Sequence, residues 1–117
     1  MSGAFSETDT ELSPERVKEL LEAGEIQLVD VREPYEWEAG RIEGARHLEV
    51  ARLAGEAGTI DRDRPVVFSC RSGARSAMAT QAFRRAGYDA YSLNGGITAW
   101  HEQGLPLEPA DGHVEDH

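Results

Sequence analysis

Residues 66–79 read VVFSCRSGARSAMA. The first four, VVFS, are an apolar, β-prone run bounded by Pro65 on the amino side, the pattern of a buried strand. Residues 74–86 have helix-forming composition and stop at Gly87, a residue type suited to the position after a helix end. Between strand and helix lies a six-residue loop, Cys70, Arg71, Ser72, Gly73, Ala74 and Arg75, with the helix expected to begin near Ser76. A loop of this kind can turn successive N–H groups inward and form an anion-binding nest beside a helix N-terminus. Gly73 supplies the conformational freedom that so tight a loop needs.

The same alternation continues on both sides of this stretch. Ser13-Pro14 followed by Val17, Leu20 and Leu21 reads as an N-capped amphipathic helix closed by Gly24. Residues 26–31 (IQLVDV) form a short apolar run suited to a buried strand, and a helical turn is expected near residues 35–39. Residues 45–50 are a weaker strand candidate, 52–57 a short helix, and 61–65 (DRDRP) a loop. Residues 90–93 make another strand, Asn94-Gly95-Gly96 a turn, and 97–103 a last short helix before Gly104. Strands alternating with helices through short loops indicate an α/β fold with a largely parallel sheet. With 117 residues, one domain is expected over residues 11–109, between a flexible N-terminus (1–10) and a flexible acidic tail (110–117). In open parallel sheets the ligand crevice lies beyond the carboxyl ends of the strands, which is where Asp30 and Cys70 fall.

Twelve Lys and Arg against 22 Asp and Glu leave a net charge of −10. That balance disfavours nucleic acid and anionic membranes as partners, since both need a cationic face. No stretch approaches the roughly 20 apolar residues of a spanning helix, and the N-terminus has no signal-peptide pattern. Cys70 is the single cysteine. It excludes an internal disulfide and a cysteine-built zinc cage, and it fits a cytoplasmic location. Yet from Arg64 to Tyr88 there is no Asp or Glu, while Arg64, Arg71, Arg75, Arg84 and Arg85 all lie there. The cysteine thus sits in the one cationic window of an acidic chain, where a small anion would be drawn. Arg84 and Arg85 read more simply as solvated helix arginines. Loop N–H groups, the helix dipole, Arg71 and Arg75 each favour the thiolate, which is the reactive form. The alternative is a structural cysteine ending a core strand, which is common.

Three segments together resemble the single-domain rhodanese (thiosulfate sulfurtransferase-like) family. They are LVDVREPYEWEAGRIEGA (residues 28–45), the loop from Cys70 to Arg75 with Ser76, and LNGGITAW (93–100) followed by Gly104-Leu105-Pro106. The resemblance runs from about Leu12 to Pro109. It implies a rhodanese-like fold, a small, mostly parallel five-stranded sheet flanked by helices on both faces. It also implies a sulfurtransferase, in which Cys70 attacks the sulfane sulfur of thiosulfate or another small anionic donor. The resulting persulfide would give its outer sulfur to cyanide or an external thiol, since no second cysteine is present. Arg71, Ser72, Gly73, Ala74, Arg75 and Ser76 would cradle the anion, and Arg75 can also brace the loop. No cofactor is implied. A sulfur-relay or binding module serving a sulfur-accepting protein is the alternative. A phosphatase or arsenate reductase is disfavoured, because phosphatase loops of this kind run Cys-x5-Arg and this chain has Cys-x4-Arg.

Asp30 and Arg32 match the family's Asp-x-Arg. They either organise the crevice or, the reading favoured here, form an ion pair holding the first loop. Arg41 stands where the family commonly has His, a position of structural type. Tyr35, Trp37 and Trp100 can line a pocket mouth, although aromatic residues so spaced usually belong to cores. Gly95 and Gly96 read as turn residues with positive φ. His47, His101, His113 and His117 have no metal-ligand spacing, and no metal is expected. Neither a dinucleotide nor a P-loop glycine motif is present.

Overall fold

The computed structural model describes residues 10–115. Strands β1 (Glu11–Leu12), β2 (Gln27–Asp30), β3 (Arg46–His47), β4 (Val66–Ser69) and β5 (Ala90–Leu93) form one sheet in the order β1-β5-β4-β2-β3. All its ladders are parallel. Helices α1 (Pro14–Glu22), α2 (Pro34–Ala39), α3 (Val50–Leu53), α4 (Ala74–Arg85) and α5 (Gly96–Glu102) connect and follow the strands. None is long and apolar enough to cross a membrane.

Period-two alternation sends the strand residues to two cores, so the sheet is covered on both faces. Val29, Val66, Phe68 and Ala90 pack with Leu53 of α3 and with Ala79 and Phe83 of α4. Leu28, Val67, Tyr91 and Leu93 pack with Val17 and Leu20 of α1 and with Ile97 and Trp100 of α5. Central β4 is buried at all four residues, which is why its sequence is an unbroken run. The α1 start follows the expected chemistry, with the Ser13 side chain accepting from Arg16 N at 3.2 Å.

Topology creates the crevice. The chain leaves β2 toward β3 on one side and leaves β4 toward β5 on the other. Such a switch point opens a cleft at the carboxyl ends of the two strands. Asp30 and Ser69 face each other across the β2–β4 ladder there, and Cys70 is the next residue.

Several boundaries differ from expectation. β1 carried no signal, because two residues have no period; its backbone pairing shows in Asn94 N donating to Leu12 O at 2.8 Å. The strand expected at 45–50 shrinks to Arg46–His47, because Val50 turns its amide to Val31 O and starts α3. That helix was expected at 52–57, where a 3-10 turn (Ala57–Thr59) stands just beyond Gly55. α4 begins at Ala74, two residues before Ser76, because Gly73 at φ +115 makes the N-terminal turn. Of the stretch 1–10, residues 1–9 lie outside the described residues, and Thr10 O accepts from Ser92 N. In the expected tail, His113 N donates to Ala39 O at 2.9 Å, and Val114 packs against the α1–α5 core. Residues 116 and 117 lie outside the described residues.

Phe83 stands between the rings of Phe68 and Tyr88, both centroids 4.8 Å away. Phe83→Ala is expected to lower stability by roughly 3–5 kcal/mol, measured by urea unfolding, without moving the residues at the sheet's carboxyl end.

Candidate active site

β4 delivers Cys70 to the carboxyl end of the sheet, where the residue is only 1% exposed. α4 opens without a side-chain cap, since its N-cap is Gly73. The first-turn amides of a helix need an acceptor, and the sulfur supplies it. Gly73 N donates to Cys70 Sγ at 3.1 Å and Ser76 N at 3.4 Å. Ser76 Oγ stands 3.6 Å from the same sulfur, bonded to Gly73 O at 3.1 Å and held 2.7 Å from Ser92 Oγ of β5. Two amides aimed at one sulfur stabilise negative charge on it.

The carbonyls of the loop face the other way. Ile97 N donates to Cys70 O at 2.9 Å, and Thr98 N to Arg71 O at 3.0 Å, so the start of α5 ties down the loop's outer edge. This approach requires Gly96. A Cβ there would lie 2.4 Å from Arg71 O and 2.6 Å from Cys70 O, on a backbone at φ +65. A simple turn is therefore an incomplete account of Gly95-Gly96; the absent side chain makes room for the loop.

Arg75 closes the loop on α2. Its two terminal nitrogens donate to Glu36 Oε1 at 2.9 Å and Oε2 at 3.1 Å. Glu36 is fully buried and also accepts from Glu33 N at 2.9 Å. Burial pushes the Glu36 carboxyl up. The Arg75 and backbone hydrogen bonds, with the charges of Arg75 and Arg32, outweigh it and hold the group below the ordinary 4.5. Arg75 is in turn held above its ordinary range, chiefly by the Glu36 hydrogen bond against the cost of burial, with Cys70 and Asp30 adding attraction.

Asp30 and Arg32 form a second buried pair. Arg32 Nη2 donates to Asp30 Oδ2 at 2.7 Å and to Gly40 O at 2.8 Å, while its Nε bonds both Asp30 oxygens. His47 Nε2 lies 2.8 Å from Arg32 O, and its ring stacks on Trp37. Asp30, Arg32 and Glu36 are the buried charged residues among those described, and all three stand at this end of the sheet.

The other sequence candidates scatter. Arg71 is half-buried, with Nε unpartnered among the described residues, while Ser72 and Ala74 are exposed. Trp100 is core, its indole donating to Pro106 O. Trp37 is half-buried, and Tyr35 is 51% exposed. Arg84 is not simply solvated: it donates to Ala90 O at 2.6 Å and lies over the Tyr91 ring. Glu36, Ser92 and Gly96 were missed as site residues. Glu36 alone had a signal, lying three residues after Glu33 beside Pro34, a helix-start spacing. A cavity of about 600 Å³ lies elsewhere, lined by residues such as Ile26, Gln27 and Arg64 and by none of the loop.

Comparison with known proteins agrees with this architecture. The family model described as the rhodanese-like domain matches residues 13–103. Thiosulfate sulfurtransferase GlpE of Pseudomonas aeruginosa is 35% identical over 112 residues, 95% of this chain and 100% of that protein. The probable adenylyltransferase/sulfurtransferase MoeZ of Mycobacterium tuberculosis is 36% identical over 99 residues, 81% of this chain but 25% of that protein. Among solved structures, a rhodanese-related protein from Thermoplasma volcanium superposes with a TM-score of 0.78 at 27% identity, covering 83% of this chain and 95% of that one.

Gly96→Ala is expected to displace the loop, with a cost of roughly 1–3 kcal/mol from its backbone angle alone and a slower alkylation of Cys70 by iodoacetamide. Glu36→Gln is expected to cost about 2–3 kcal/mol at pH 7. A carboxyl whose folded value is depressed stabilises above its unfolded value and loses that stabilisation as pH falls through the folded one. The urea-midpoint gap between wild type and Glu36→Gln should therefore be full at neutral pH and narrow as the solution is acidified below about 4.5.

Proposed function

The chain belongs to the rhodanese-like domain family, and from that premise we propose that it moves sulfane sulfur through a persulfide on Cys70. It is a rhodanese-type transferase, as its relatives named thiosulfate sulfurtransferase indicate. The Cys70 thiolate attacks the outer sulfur of thiosulfate. A bond forms between Sγ and that sulfur, the sulfur–sulfur bond of the donor breaks, and sulfite leaves with the electron pair. Cyanide or a thiolate then attacks the outer sulfur of the persulfide, and Cys70 leaves as a thiolate. Charge and atoms balance at both steps without an oxidant or reductant.

The observation that carries this reading is the pair of amides, Gly73 and Ser76, aimed at a buried sulfur at the head of α4. The same donors that favour the thiolate stabilise it as the leaving group. The loop from Arg71 to Ser76 would hold the terminal persulfide sulfur, with Arg71 and Arg75 supplying positive charge. Cys-x4-Arg makes a tighter nest than a phosphatase loop, suited to one sulfur atom rather than a phosphoryl group. A lone reactive thiol suits a reducing cytoplasm. Similarity to part of a longer protein named adenylyltransferase/sulfurtransferase supports a second reading, a relay in which the acceptor is another protein. Both readings share the persulfide.

Intact mass after thiosulfate should rise by one sulfur atom, and cyanide should remove it as thiocyanate. Cys70→Ser should abolish loading and turnover while leaving the urea midpoint near that of wild type. Loading that persists in Cys70→Ser overturns the assignment.

A further inference from the structure

Strand β5 turns a polar residue toward a largely apolar face. Ala90 belongs to the cluster of Val66, Phe68 and Phe83 under α4, while Tyr91 and Leu93 pack on the opposite side, so alternation sends Ser92 to the α4 face. Its in-register neighbour on β4 is Phe68. Ser92 is 1% exposed and Ser76 is fully buried. Burying a hydroxyl is costly unless it is bonded. Among the described residues the one partner of Ser92 Oγ is Ser76 Oγ, at 2.7 Å. Ser76 Oγ has a wider choice, with Gly73 O at 3.1 Å and Cys70 Sγ at 3.6 Å.

The proton inventory gives this chain of bonds a direction. Each hydroxyl has one proton to donate and lone pairs to accept. A Ser76 hydroxyl that donated to Ser92 would leave the Ser92 proton buried without an acceptor. Ser92 therefore donates to Ser76, and the Ser76 proton is free to turn to Gly73 O or to the sulfur. A neutral sulfur is a weak acceptor and leaves that proton on Gly73 O, whereas a thiolate draws it.

Resting on the persulfide reading above, we propose that Ser92 is a positioning residue whose hydroxyl aims the Ser76 proton at Cys70 Sγ whenever that sulfur is anionic. The thiolate then takes three hydrogen bonds, from the Gly73 and Ser76 amides and from the Ser76 hydroxyl, and donation from Ser92 polarises the third. Its main use is in discharge. As cyanide or a thiolate bonds to the outer sulfur, the bond to Sγ breaks, its electron pair settles on Sγ, and the Ser76 hydroxyl turns to meet it. The proton stays on the Ser76 oxygen throughout. Arg75, whose charge reaches Cys70, is held by Glu36, and Asp30 by Arg32, so a change at Ser92 leaves both pairs their partners.

The test uses two readouts on the full chain. One is the pH midpoint of Cys70 alkylation by iodoacetamide, and the other is the single-turnover rate at which cyanide removes sulfur from the thiosulfate-loaded protein. Ser92→Val, matched in shape to Ser92→Thr, should raise the midpoint by about half a pH unit and slow discharge about threefold, half a unit being a threefold change in ionisation. Ser92→Thr should keep both near wild type. Ser92→Ala, which adds no bulk, should act like Ser92→Val and stands in for it should valine disturb the fold. Ser76→Ala should shift both readouts further, and adding Ser92→Val to it should change neither again, as expected of residues coupled in one chain of bonds. An unchanged midpoint and discharge rate in Ser92→Val and Ser92→Ala overturn the proposal. So does a Ser92→Thr variant as impaired as Ser92→Val, or a Ser92→Val effect that persists in full without the Ser76 hydroxyl. Wild-type protein that takes no sulfur from thiosulfate would instead overturn the persulfide reading, and the alkylation midpoint would still judge Ser92.

Discussion

A helix that begins without a side-chain cap leaves amides in want of an acceptor, and in this protein a sulfur atom answers that want. Cys70 Sγ takes the Gly73 and Ser76 amides at the head of α4. The arrangement binds local structure to chemistry. Whatever stabilises the start of α4 also keeps two amides on the Cys70 sulfur, and a loop that relaxed would lose both at once. Much of the surrounding architecture maintains this one contact. Ser76 is anchored to Ser92 of β5, and the loop carbonyls are occupied by the first amides of α5. With the Cys70 and Arg71 carbonyls engaged by α5, the Gly73 and Ser76 amides are left directed at the sulfur.

Concentrating charge at the same end of the sheet carries a desolvation cost, and the structure offsets it by pairing. Asp30 is wrapped by Arg32, and Glu36 by Arg75 and a backbone amide. Breaking such a pair leaves a buried charge uncompensated, which is worse than never having buried it. Arg75 belongs to two systems, since it stands at the end of the Cys70 loop and joins that loop to α2. Its field at the sulfur is therefore fixed in place, which favours a preorganised site over one assembled on binding.

The crevice is as much a product of chain path as of side chains. β2 and β4 are neighbours whose onward connections diverge, which makes their carboxyl ends the topological switch point of the sheet. The helices covering each face are held by separate apolar clusters. The functional end can thus carry polar residues such as Asp30, Ser69, Ser76 and Ser92 while the sheet below stays dry.

What the sequence determined by itself is local. The strand VVFS, the loop that opens at Cys70, Gly73 within it and the helix that follows lie in one continuous stretch, although that helix starts at Ala74, two residues before the sequence placed it. The buried strand at residues 66–69 was legible for the same reason, since a short unbroken apolar run is a short-range signal. The tertiary structure decided the rest. Arg75 and Glu36 are 39 residues apart, and nothing near either one announces the pairing. Gly96 looks like any turn glycine until α5 is packed against the loop, and Val50 and Met78 line one groove only because α3 and α4 cover one face of the same sheet. Such contacts depend on long-range packing, which composition and spacing along a chain do not encode. The sequence singles out Cys70 and the glycine-bearing loop that follows it; only the fold determines which buried charges and surfaces surround them.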